Sequence, residues 1–126
     1  MIEQDIIDGN RLLAEFEVPN WKLIKSSEYN GEIEAKNLYK AVLLSAEQYQ
    51  SLKYDISWDW LMPVWRQVIN EIGLFMSTHE DINIAKLWLI KSKEIETDII
   101  TVNINGAFNK IVNLIKFKTE LCQTEK

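Results

Sequence analysis

The stretch Tyr54-Asp55-Ile56-Ser57-Trp58-Asp59-Trp60-Leu61-Met62-Pro63-Val64-Trp65 constrains this chain more than any other. It places three of the five tryptophans within eight residues, near the middle of the sequence. Ser57 is a good helix N-cap, because its hydroxyl can accept from a free amide of the first turn. Asp59 then lies where negative charge favours the positive end of the helix dipole. Trp58, Leu61, Trp65, Val68 and Ile72 recur at helical spacing and form one apolar stripe. Pro63 leaves two routes, a tight turn followed by a helix that starts at the proline, or one helix that bends there. The pattern predicts a helix reaching about Glu71, closed by Gly73 as a left-handed C-cap. Aromatic faces can stack on bases, sugars or cations. No basic residues are interleaved with these rings, however, and indoles in so small a chain are expected first of all as core.

Leu52-Lys53-Tyr54-Asp55-Ile56-Ser57-Trp58-Asp59-Trp60-Leu61-Met62-Pro63-Val64 resembles the motif of a family of short, uncharacterised phage and prophage proteins. That family usually reads leucine-lysine-tyrosine-histidine-serine-serine-tryptophan-aspartate-tryptophan-leucine-methionine-proline-valine. Two further segments resemble it in the same order: Asn10-Arg11-Leu12-Leu13-Ala14-Glu15-Phe16, and Ala107–Phe117, which loosely matches the family's terminal helix with an aromatic pair late in it. Where the family has histidine and serine, this chain has Asp55 and Ile56, so no role of that histidine carries over. The resemblance implies a phage-type accessory protein and brings no established activity with it.

A length of 126 residues predicts one domain with a core that needs no staples. Cys122 is the one cysteine, which excludes an internal disulfide and suits a reducing compartment. The acidic start Met1-Ile2-Glu3-Gln4-Asp5 does not read as a signal peptide, and no run approaches the ~20 apolar residues of a membrane span. A cytoplasmic protein is expected, with no membrane partner. The net charge is −5, and residues 1–60 hold eleven acids against six bases while residues 61–126 hold eight of each. Duplex nucleic acid is disfavoured, because it calls for clustered lysine and arginine. An acidic face for a basic partner, or a DNA mimic that inhibits a host protein, is compatible with this balance.

Along the chain, residues 2–16 predict an amphipathic helix with Ile6, Ile7, Leu13 and Phe16 inward, beginning at Asp8 if Gly9 weakens its start. Val18-Pro19-Asn20 ends it. Trp21–Ile24 suits a short strand, and Asn30-Gly31 a turn. Residues 32–53 fit helix or strand; the favoured reading is a return strand Leu38–Leu44 and a helical turn from Ser45 to Leu52. Leu74–Ser77 suits the start of a strand. Ile84–Lys91 is apolar on both faces and suits a central strand, with a helix over Asp81–Lys93 as the competitor. Thr97–Ile100 is a further strand or the lead into the last helix. From Asn103 to about Leu121, Ile104, Phe108, Ile111, Ile115 and Lys118 mark a helix capped near Thr101 or Asn103. The expected fold is α+β: a small antiparallel sheet with two or three main helices packed on one face, a two-layer sandwich.

Chemistry is sparse. His79 is the lone histidine, and in His79-Glu80-Asp81 adjacent residues do not converge on one metal. Cys122 has no histidine near it, and catalytic cysteines need an electropositive setting. The four glycines are scattered and make no phosphate loop. Asp55 and Asp59 lie four apart, and Asp59 is better explained by the helix start. No catalytic residue, metal or cofactor is expected. The sequence points to a non-enzymatic protein that binds another protein or a second copy of itself, with Trp21, Trp60 and Trp88 as the candidate surface. The alternative is a small-ligand or nucleic-acid module built on the tryptophans.

Overall fold

Apolar residues recur at three and four in the central and final segments of this chain, and the computed structural model places both in helices. It describes residues 3–19, 21–24 and 35–124. Every regular element among them is helical: α1 (Glu3–Glu17), α2 (Trp21–Ile24), α3 (Ala35–Ser45), α4 (Trp58–Val68), α5 (Leu74–Ser77), α6 (Ile82–Ile100) and α7 (Ile104–Thr124). A 3₁₀ turn at Tyr49–Ser51 and a π turn at Ile69–Gly73 complete the path. The α+β sandwich is thereby overturned, since the described residues contain no strand. Trp21–Ile24, Leu38–Leu44, Leu74–Ser77, Ile84–Lys91 and Thr97–Ile100 all lie in helices instead. The Asn30-Gly31 turn lies outside the described residues.

The chain divides into two compact units, Met1–Tyr54 and Asp55–Lys126. In the first, α1 starts at Glu3 in spite of Gly9 and buries Gly9, Asn10, Leu13 and Ala14, one face at helical spacing. Residues of α3 alternate between buried Lys40, Ala41, Leu43 and Leu44 and exposed Leu38, Tyr39 and Val42. Its end is a Schellman-type closure. Gln48 N–H donates to Leu43 O at 2.9 Å and Glu47 N–H to Leu44 O at 3.2 Å, with Glu47 at φ 58°. Trp21 packs against Val18 and Ala41, so the segment that suits a strand in sequence is a helical turn held by its indole.

In the second unit, α4 begins at Trp58 and runs through Pro63, so one helix includes the proline. Ser57 occupies the N-cap position in extended conformation, but its hydroxyl makes no capping bond. Leu61, Val64, Trp65, Val68, Ile72 and Met76 are buried, and the stripe expected from sequence holds from Leu61 onward. Steps of four from Val68 to Ile72 to Met76 drift around an ideal α-helix. The wide π turn takes up that drift and keeps these residues on one face. Gly73 has φ −59° and ψ −45°, so the helical path continues through it and it is no left-handed cap.

Next, α7 packs against α4 and α6, and α5 packs against α6. The stripe of α7 is the expected one, with Phe108, Ile111 and Ile115 buried. Asn103 caps it, its Oδ1 accepting from Gly106 N–H at 3.1 Å. No helix among the described residues is long and apolar enough to cross a membrane.

Candidate functional site

The most distinctive constellation in the second unit is the seat of Trp88. Its ring lies 6.1 Å from Trp65, centroid to centroid, in a stacked arrangement. Its six-membered ring also rests against Gly73, where an added Cβ would come within 2.6 Å of Cζ2. A half-buried indole clamped between a second indole and a bare backbone has little rotamer freedom left to lose on binding. Around it, Ile69, Asn70, Gly73, Leu74, Ser77 and Trp88 line a shallow depression, with no charged residue among the described ones that line it. Leu74 is 64% exposed and Ile69 40%, so apolar surface flanks the indole. The glycine that suggests a helix stop in sequence thus provides a close approach.

Of the other candidate tryptophans, Trp21 is half-buried on the first unit's own core. Trp60 is half-buried on α4, off the buried stripe. Sequence reasoning missed Ile69 and Leu74, because neighbouring apolar residues on a continuous helix cannot be sorted into inner and outer ones until the π turn sets their phase.

A polar cluster in the first unit also escaped it. Lys40 on α3 pairs with Glu17 on α1, and their side chains are 4% and 7% exposed. Tyr54 donates its hydroxyl to Glu17 Oε1 at 2.7 Å, while Lys40 Nζ stands 5.1 Å from the centre of its ring. The backbone N–H of Tyr54 donates to Asn10 Oδ1 at 2.9 Å. Asn10 on α1 and Tyr54, forty-four positions apart, are therefore joined by a buried hydrogen bond. Burial and the Glu17 carboxylate push the Tyr54 phenol well above its ordinary value. With Tyr54 at 0% exposure, the cluster holds the chain in place and offers no surface to a substrate. A lysine within the apolar run Leu38–Leu44 is the one signal in the sequence that could have pointed to it.

His79 serves the turn between α5 and α6. Its Nδ1 accepts from Asp81 N–H at 3.0 Å, and its ring meets Phe75 edge-on at 5.6 Å. Asp81 in turn caps α6 through Asn83 N–H at 2.9 Å. No group of three His, Cys, Asp or Glu residues among the described ones could hold a metal ion. Cys122 is a half-buried free thiol on α7. No family model, curated protein or solved structure matches the chain.

Proposed function

We propose that this chain is a small, non-enzymatic accessory protein of phage or prophage type that works by protein–protein association, with a second copy of itself as the partner. The observation that carries this reading is the pre-seated Trp88 flanked by exposed Ile69 and Leu74. Fixed aromatic anchors amid apolar surface are the usual centre of a binding patch. A two-fold interface sets each residue near its own copy's neighbourhood, so charges tend to face like charges. A depression lined without charge suits such self-pairing. The resemblance of Leu52–Val64 supports the phage-type origin, and the single cysteine fits a cytoplasmic setting.

Light scattering behind a sizing column, over a concentration series, tests the association. A concentration-dependent dimer is expected, returning to monomer in Leu74→Lys with the helical circular dichroism unchanged. A monomer at every concentration, or a dimer indifferent to Leu74→Lys, refutes the reading.

A further inference from the structure

Between α6 and α7, on the second unit, lies a partly enclosed cavity of about 200 Å³. Leu87 and Lys91, four apart on α6, face Lys110, Asn113, Leu114 and Phe117, which share one face of α7. Leu114, only 3% exposed, belongs to the core, while Leu87 and Phe117 are half-buried. The cavity therefore joins an apolar interior to a polar set of one amide and two ammonium groups, and no acid among the described residues lines it. The two lysines are not equivalent. Lys110 Nζ sits 2.7 Å from Asp98 Oδ2, so part of its charge is already answered. Lys91 makes no ion pair among the described residues, and its ammonium is the open one. Among the described residues, the charged side chains that line the recess are both cationic.

We propose that this cavity binds a small organic carboxylate with an apolar body about the size of benzoate. The apolar body packs on Leu87, Leu114 and Phe117, and the carboxylate meets Lys91 with the Asn113 amide as a neighbouring donor. A cavity of ~150 Å³ already accepts a benzene ring, so the volume suits this class of ligand. The polar groups supply orientation and the apolar lining supplies contact, the division of labour found in small-molecule sites. No tryptophan lines the cavity. This site is thus separate from the Trp88 depression.

The test uses the full-length chain, labelled with nitrogen-15, titrated with benzoate and with its neutral analogue benzamide. Benzoate should give saturable amide shifts centred on Leu87, Lys91, Asn113 and Phe117. Benzamide should bind at least about tenfold more weakly, as the loss of one charge-assisted contact implies. Lys91→Met keeps the apolar stem of an exposed side chain and should reduce benzoate to the benzamide level. Leu74→Lys should leave benzoate binding unchanged, which separates this site from the association surface. Shifts that never saturate or scatter over the surface, equal binding of benzamide, or an indifferent Lys91→Met would each overturn the proposal.

Discussion

Gly73 and Val102 show how single residues set this fold in opposite senses. At Gly73 the absent Cβ makes room for the Trp88 indole, and an alanine there would stand 2.6 Å from Cζ2. Gly73→Ala should destabilise the second unit by about 1–3 kcal/mol through overpacking, in spite of alanine's better helix propensity. Urea unfolding followed by circular dichroism measures this, and a stabilised variant would show that the indole can shift freely. Val102 is the reverse case. It closes α6 at φ 58°, a left-handed conformation that crowds a β-branched side chain, and it is 70% exposed. Asn103 N–H donates to Asp98 O at 2.7 Å across this corner, which fixes the geometry whatever the residue at 102. Val102→Gly should therefore raise stability by roughly 1 kcal/mol, the strain relief exceeding the glycine's entropy cost. An unchanged or lower urea midpoint would show that the valine is not strained.

Between elements, the buried Glu17–Lys40 pair ties α1 to α3, and both partners reach Tyr54. Removing one charge strands the other in an apolar setting. Lys40→Met alone should destabilise the first unit by about 3–5 kcal/mol, whereas joint replacement of Glu17 and Lys40 by methionine should recover most of that loss. A double variant no better than the single one would mean that the pair is worth its burial. The Tyr54 phenol gives a pH signature. Its value is raised in the folded state, so its contribution is intact below the ordinary tyrosine value of ~10 and is lost as pH climbs beyond it. Tyr54→Phe gives up the bond to Glu17 but cannot ionise. Wild type should thus be the more stable near pH ~8, and its advantage should shrink or invert near pH ~11. A constant gap between the two in urea unfolding at both pH values would contradict the burial of that hydroxyl.

For the whole molecule, the proposed association should be nearly independent of salt, because no charged residue among the described ones lines the Trp88 depression. The Debye length falls from ~30 Å at 0.01 M to ~3 Å at 1 M ionic strength, so a charge-driven dimer would weaken steeply over that range. Light scattering at both ends should give similar or slightly tighter dimerisation. A marked loss at high salt would move the interface to one of the charged surfaces. Local periodicity is enough to decide what lies within one turn's reach. The stripe from Leu61 to Ile72 and that of Phe108, Ile111 and Ile115 are periodic enough to declare a helix and its buried side. It could not decide α6, where Ile82, Leu89 and Ile90 face outward while Ile95 faces in. Apolar residues on both sides fit a central strand as well as a helix with an unpartnered face. Only tertiary packing chose between them, because α6 is held by α5 and α7 rather than by its own periodicity. The same holds for α3, where Lys40 looks like a surface residue until Glu17, twenty-three positions away, neutralises it. Local spacing encodes which side of a helix is apolar; which apolar side is covered, and which buried charge is answered, depends on partners distant in the chain.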